Sequence, residues 1–131
     1  MEPKMEQNDT TLEQLIEAAQ KENWDFVDGH INNSHLTSEP INWALNIGLY
    51  IEDQNVRDLA ATLLDRSDEE IKPEDVEKLQ KIMVEDSYHI VRYRVAVALY
   101  KRGNRNSVVE QMMQEAKNDP DVGDLAESYL E

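Results

Sequence analysis

An apolar pattern recurs along this chain at nearly constant intervals. The segment NVRDLAATLL, residues 55–64, aligns with IVRYRVAVAL, residues 90–99, at a constant shift of 35. DVGDLAESYL, residues 121–130, aligns with residues 90–99 at a shift of 31, and residues 12–27 match residues 41–56 at a shift of 29. Repetition at intervals of this length is typical of architectures in which small structural units stack side by side.

The copies indicate four units of two helices each. Apolar residues recur within the units three and four positions apart, which is the spacing of an amphipathic helix. A pair of helices cannot bury its own apolar face, so neighbouring pairs are expected to stack. We therefore predict an all-α fold of about eight helices in four pairs. Residues 1–9 are expected to form a flexible tail, and residues 10–131 a single repeat domain.

Gly and Pro are too scarce for a many-turned β sandwich, since the chain has only four of each. Residues that cap or open helices instead precede most of the apolar segments. The third helix is expected to run to about Ile51, Gly29 to interrupt the second, and Gly103 to end the sixth in a left-handed conformation. The predicted helix starts are Thr10 or Thr11, Ser38, Asp53, Pro73, Asp86 or Ser87, Asn104 or Asn106, and Asp119.

The two middle copies resemble a known repeat family. DSYHIVRYRVAVAL, residues 86–99, looks like the second helix of a HEAT repeat, with an aspartate in the turn, a Val-Arg pair five residues on and small residues before a leucine. Pro73 resembles the proline that opens the preceding helix in that family. Residues 53–64 are similar, with two residues fewer between the aspartate and the valine. In the outer copies Gly123 and Asp28 stand in place of the arginine.

This resemblance implies a right-handed α-α superhelix, a HEAT-like solenoid whose second helices line a concave face. Such a face would present an extended surface to a protein partner. The resemblance also implies a structural ladder between repeats, formed here by Asp53, Arg57, Asp86 and Arg92. Guanidinium groups suit a ladder because they donate to carboxylates and to carbonyls at helix ends. The alternative role for the two arginines is an anion site on the concave face.

Residues 87–109 contain no acidic residue, although the chain as a whole is strongly acidic. Arg94 and Lys101 project on one arc of the sixth helix, between two apolar stripes, and lack an acidic partner nearby in the sequence. The two stripes indicate a helix that is sandwiched between neighbours. The candidate partner-binding residues in this stretch are Arg94, Lys101, Arg102 and Arg105.

The net charge of −15 narrows the classes of partner. It disfavours nucleic acids, whose phosphates need an excess of Lys and Arg, and it disfavours anionic membranes. A basic protein partner is electrostatically favoured, and the simpler alternative is that the charge only keeps the protein soluble. The first residues do not resemble a signal peptide, and no apolar run approaches the roughly 18 residues of a membrane span. We therefore expect a cytoplasmic protein.

No pattern in the sequence predicts catalysis, a metal or a cofactor. The histidines, at positions 30, 35 and 89, do not form a pair at i and i+4, and the absence of Cys removes thiolate sites. The acidic segment 65–77 lacks the Gly and the Glu of a calcium-binding EF-hand loop. Nucleophile-elbow, phosphate-loop and dinucleotide-binding motifs are absent.

These observations predict a non-enzymatic interaction or scaffold module that binds a protein partner on its concave face. One alternative is an acidic inhibitor or immunity-type protein, which would bind a basic enzyme tightly and in a salt-sensitive manner. A second alternative is a lyase-like or accessory enzyme subunit, because some HEAT-like families handle chromophores. That function would need an apolar pocket with convergent polar groups.

Overall fold

In a computed structural model that describes residues 12–33 and 38–130, the chain is helical and contains no strand, which confirms the all-α prediction for this part. The helices are α1 (Leu12–Gln20), α2 (Trp24–Asn33), α3 (Ser38–Asn46), α4 (Gln54–Arg66), α5 (Pro73–Glu85), α6 (His89–Lys101), α7 (Ser107–Ala116) and α8 (Gly123–Leu130), with a 3-10 turn at Gly48–Tyr50. None of these helices is long and apolar enough to cross a bilayer. The predicted tail, residues 1–9, lies outside the described residues.

The helices group into two compact units, Met1–Leu63 and Leu64–Glu131, and the division falls within α4. In the first unit, α1 packs on α2, and α3 packs on the 3-10 turn. Each of these helices buries one apolar side, including Leu15 and Val27. The expectation of one repeat domain over residues 10–131 stays a prediction.

Two expectations in the first unit are wrong. Helix α2 continues through Gly29, because one glycine inside a helix costs only about 1 kcal/mol relative to alanine. The α-helical part of the third element ends at Asn46, and the chain tightens into the 3-10 turn. A Cβ at Gly48 would lie 2.7 Å from the Trp43 ring and 2.8 Å from the Cβ of Ala60. This close approach is a tertiary property that helical periodicity cannot show.

Helix α6 is the central element of the second unit. It packs against α5, α7 and α8, and nearly all of its apolar side chains are buried. Val95 and Leu99 on one side, and Val97 on the other, are fully buried, so the expected two-sided apolar helix is confirmed. The helix ends as predicted, since Gly103 has a φ of 91°, in the left-handed region that glycine adopts without steric cost.

Three helices are preceded by an aspartate that makes the same local hydrogen bond. The Oδ1 atoms of Asp53, Asp86 and Asp119 accept hydrogen bonds from the amide two residues further on, at 2.8, 2.9 and 2.7 Å. These aspartates are 33 residues apart. Short polar side chains satisfy amides in this way before a helix begins. Helices α6 and α8 nevertheless start later than predicted, at His89 and Gly123.

Candidate functional site

The two arginines of the expected ladder bind equivalent carbonyls. Arg57 Nη1 donates to the carbonyl oxygens of Ile51, at 3.0 Å, and Glu52, at 2.8 Å. Arg92 Nη1 donates to the carbonyl oxygen of Asp86 at 2.7 Å. In both copies the acceptor lies six residues before the arginine. Each guanidinium therefore joins the start of its own helix to the end of the segment before it, a structural role.

The fourth copy makes the same junction without an arginine. At the shift of 66 that relates Asp53 to Asp119, Arg57 corresponds to Gly123 and Ile51 corresponds to Lys117. A Cβ at Gly123 would lie 2.7 Å from the carbonyl oxygen of Lys117. The backbone of residue 123 thus lies against the carbonyl that corresponds to the acceptor of Arg57, and any side chain larger than that of glycine would collide with this carbonyl.

We expect Gly123→Ala to lower the free energy of unfolding by about 2 kcal/mol, because the added methyl group forces backbone atoms apart in a packed site. Gly29→Ala is the matched control, since a Cβ at that helical position would meet nothing within 4 Å. It should raise stability by about 0.5 kcal/mol or more. Urea unfolding of the two variants measures both effects, and equal effects of the two substitutions would contradict the packing argument.

Helix α6 directs its basic side chains at the last turn of α4 and at the connector, residues 67–72, that joins α4 to α5. Arg94 Nη1 lies 3.0 Å from Oδ2 of Asp65 and donates to it. Lys101 Nζ donates to the carbonyl oxygen of Asp65 at 3.1 Å and lies 3.3 Å from a carboxylate oxygen of Asp68. Arg94 and Lys101 have no acidic partner nearby in the sequence, but the fold supplies one to each. Their partners lie 29 to 36 residues earlier in the chain, where local inspection does not find them.

Arg102 also binds this connecting segment. Its Nε donates to the carbonyl oxygen of Glu69 at 2.8 Å, and its Nη2 donates to that of Ser67 at 2.7 Å. Nη1 donates to the carbonyl oxygen of Ala98, within α6, at 2.9 Å. Burial lowers the pKa of the guanidinium, and the carboxylates of Asp68 and its neighbours oppose that shift. Arg102 acts as a clamp between α6 and the connector.

Arg105 is the only one of the four basic candidates that is classed as exposed. Its Nε donates to the carbonyl oxygen of Tyr100 at 3.1 Å, and its guanidinium carbon lies 4.0 Å from the centre of the Tyr100 ring. This is the stacked geometry of a cation-π interaction. The structure thus brings Arg94, Lys101 and Arg102 together on the end of α4 and the connector, and it leaves Arg105 in the loop that follows α6.

Asp65 is the charged group at the centre of this arrangement. Its side chain is completely inaccessible to solvent, whereas that of Arg94 is 18% exposed. Burial raises the pKa of Asp65 to about 6, because removal from water disfavours the carboxylate, and Arg94 opposes the shift only in part. Among the described residues, Oδ1 of Asp65 accepts no hydrogen bond. Tertiary packing therefore brings Asp65 and Arg94 together, but it leaves the charged form of Asp65 only partly stabilised.

A cleft of about 550 Å³ adjoins this cluster, between residues 68–73 and the side chains of Lys101, Arg102 and Asn104. Lys101 already donates to a carbonyl at the end of α4, and Arg102 to carbonyls of the connector. The cleft mixes acidic and basic groups with the apolar side chains of Ile71 and Pro73, whereas sites for small ligands are lined mainly by apolar groups. It therefore gives no support to an enzyme active site.

Sequence reasoning did not find Asp65, although one signal was present. Asp65 follows Leu63 and Leu64 in a helix whose residues are buried almost continuously, and Arg94 likewise lies among the apolar residues of α6. An acid and a base that each interrupt an apolar helix are candidates for a buried pair, because a buried charge requires a partner. The sequence did not show that the end of α4 and α6 pack against each other, so the two residues could not be paired.

A second cluster was also missed. His89, at the start of α6, lies with Nε2 3.2 Å from Oδ2 of Asp119 in the turn before α8. A carboxylate oxygen of Asp121 completes a group whose ligand-type atoms all lie within 4.8 Å of one another. The three residues span 32 positions in the chain, so no local spacing indicated them.

Comparison of the chain with protein-family models, with curated proteins and with solved structures found no match. Function is therefore inferred from the charges and contacts of this chain's own residues.

Proposed function

We propose that the protein is a non-enzymatic interaction module of HEAT-like helical pairs, stacked as a right-handed superhelix, which binds a cationic protein partner. Support for the stacking comes from the aspartates 33 residues apart and from the equivalent bonds of Arg57 and Arg92. Recognition is assigned to the acidic surface, and Arg94, Lys101 and Arg102 serve to hold the end of α4 and the connector.

The observation that carries this proposal is the distribution of charge in the unit Leu64–Glu131. Most of its arginines are partly buried and donate to carbonyl or carboxylate oxygens, so they contribute little positive charge to the surface. The exposed acidic residues of the unit's described part are Asp68, Glu69, Glu70, Glu74, Glu77, Glu85, Glu110, Glu115, Asp121, Asp124 and Glu127. The exposed basic residues are Lys72, Lys78, Lys81, Arg105 and Lys117. The accessible surface is thus strongly anionic.

A surface of one sign attracts a partner of the other sign before contact and raises the association rate, and salt screens this attraction. The inhibitor alternative uses the same surface chemistry, and it differs only in that the cationic partner is an enzyme whose activity falls on binding. The lyase-like alternative lacks comparable support, because the cleft beside Lys101 and Arg102 is not mainly apolar and these two cations already donate to backbone carbonyls.

The proposal is tested by immobilising the full-length protein and recovering partners from an extract of its source at low and at high salt. We expect recovery of a basic protein at low salt and its loss at high salt. Surface plasmon resonance with the purified partner should then show an association rate that falls about tenfold or more with ionic strength. Recovery of acidic proteins, or no partner at either salt, would contradict the proposal.

Charge variants of opposite sign make the rate measurement specific. Glu110→Gln and Glu115→Gln together remove negative charge from exposed positions of α7, whereas Lys78→Gln and Lys117→Gln remove positive charge. The first pair should slow association and the second pair should accelerate it, with little change in the thermal unfolding temperature. If both pairs change the rate in the same direction, charge attraction is not the cause.

A further inference from the structure

Three side chains of the types that bind transition metals meet beside the first turn of α6. His89 is the first residue of that helix, and Asp119 and Asp121 lie in the turn that joins α7 to α8. Together they offer one imidazole nitrogen and two carboxylate oxygens within 4.8 Å of one another. Imidazole and carboxylate are common ligands of zinc and its neighbours in the first transition series.

Two of these atoms have a separation typical of two ligands of one metal ion. His89 Nε2 and Asp119 Oδ2 are 3.2 Å apart. Ligands bound at about 2.1 Å and separated by this distance subtend an angle of about 100° at the metal. That angle lies between the values for octahedral and tetrahedral sites, so a metal fits with little movement of either side chain.

Asp119 is pre-organised to present one oxygen. Its side chain is only 8% exposed, and Oδ1 accepts hydrogen bonds from the amides of Asp121, at 2.7 Å, and Val122, at 3.2 Å. The other oxygen, Oδ2, is the one directed at His89. Pro120 separates the two aspartates and restricts the backbone between them. A ligand held in this way loses little conformational freedom on binding a metal.

The imidazole of His89 is also positioned by its neighbours. The rings of Tyr88 and Tyr93 contact it edge-on, with centres 5.5 and 5.9 Å away. The side chain is nevertheless 45% exposed, so a metal and its remaining water ligands can reach Nε2 from solvent. The arrangement has the form of an open site with three protein ligands.

We propose that His89, Asp119 and Asp121 bind a divalent transition-metal ion of the zinc class. Two carboxylates and a neutral imidazole together balance the charge of a 2+ ion. The two carboxylates also offset the repulsion between the ion and the positive N-terminal ends of the α6 and α8 dipoles. The imidazole disfavours Mg²⁺ and Ca²⁺, which take oxygen ligands. Bound metal would tie the start of α6 to the turn before α8, so it would stabilise the fold as well as occupy the site.

The test is titration of the full-length protein with Zn²⁺ by calorimetry, in a buffer with millimolar Mg²⁺ to occupy non-specific carboxylates. We expect one high-affinity equivalent per chain and a higher thermal unfolding temperature with Zn²⁺. His89→Gln should weaken binding at least about tenfold, since it removes a direct ligand. His30→Gln is the matched control, because His30 Nδ1 donates to the Phe26 carbonyl oxygen in the other unit and lies outside the cluster.

A second pair of variants addresses the carboxylates. Asp121→Asn should weaken Zn²⁺ binding, whereas Asp124→Asn, which removes an equally exposed charge from the first turn of α8, should not. Equal affinities within both pairs of variants, or no one-equivalent binding by the unmodified protein, would overturn the proposal. His89 and Asp119 would then form an ion pair only. This outcome is independent of whether a cationic protein partner exists.

Discussion

Replacing Arg94 with alanine is expected to lower the free energy of unfolding by about 3 kcal/mol, the scale of loss when one member of a buried ion pair is removed. Asp65 has no access to solvent and Arg94 Nη1 donates to it at 3.0 Å, so the variant leaves a buried carboxyl group that retains only more distant cations such as Arg66, whose Nε is 4.0 Å from Oδ1. The loss should lie at the lower end of the range because this carboxyl group takes up a proton easily, given a pKa of about 6. Urea unfolding with an unchanged m-value measures the effect.

Lys78→Ala provides the control for the Arg94 variant. Lys78 is also a cation near an aspartate, with Nζ 3.9 Å from Oδ1 of Asp75, but its side chain is 53% exposed. Exposed pairs contribute about 0.5 kcal/mol or less, so this variant should unfold almost as the unmodified protein does. Adding Asp65→Asn to Arg94→Ala should recover part of the lost stability, because the orphaned acid is then removed. Similar losses for Arg94→Ala and Lys78→Ala would refute a buried pair.

The second large effect is a pH dependence with an unusual sign. Burial raises the pKa of Asp65 from 3.8 to about 6, so between these values the folded protein binds a proton that the unfolded chain does not. Stability from this group is therefore fully present below pH 3.8 and is lost as the pH rises through about 6. At about 1.4 kcal/mol per pH unit, the change amounts to about 3 kcal/mol.

Comparison with Asp65→Asn isolates this contribution from the other carboxylates. The unfolding free energy of the unmodified protein, minus that of the variant, should increase by about 3 kcal/mol as the pH falls from 7 to 4. A conventional surface ion pair would give the opposite trend, since its carboxylate has a lowered pKa. Carboxyl-carbon NMR provides a direct check, with a midpoint for Asp65 near 6. A midpoint below 4 would contradict the effect of burial.

These two predictions change the meaning of the basic stretch in α6. Its lack of acidic residues suggested a site for an anionic partner. In the structure Arg94, Lys101 and Arg102 bind the end of α4 and the acidic connector that follows it. A segment can be basic because the segment packed against it is acidic. The charge of the protein surface is then determined by the residues that take no part in this packing. The Arg94 variant distinguishes the two roles, since a partner-binding arginine would leave stability unchanged.

Much of the fold was accessible to local reasoning. Hydrophobic periodicity identified the helices, and short polar side chains identified several of their starts, such as Asp53. The left-handed end at Gly103 followed from the same reasoning. The start of α6 was misplaced by about two residues, because Asp86 satisfies an amide ahead of the helix and Tyr88 holds the cap position. Hydrogen bonds over two to four residues depend on local sequence, so such features are readable from it.

The candidate sites were not accessible in this way. The partners of Arg94 and of His89 lie 29 and 30 residues away, on other elements. Glycine at position 123 was recognised only as a departure from the repeat pattern. Its contact with the Lys117 carbonyl gives the departure a physical reason.

The sequence by itself determined the helical class, the two-sided apolar character of α6 and the recurrence of aspartate before the helices, because these depend on periodicity and on local hydrogen bonding. Only the tertiary structure decided that Asp65 is buried against Arg94 and that His89 meets Asp119. Such pairings depend on which faces of packed helices oppose one another. The pKa of Asp65 depends further on the exclusion of water, which is a property of the packed interior and not of any one segment.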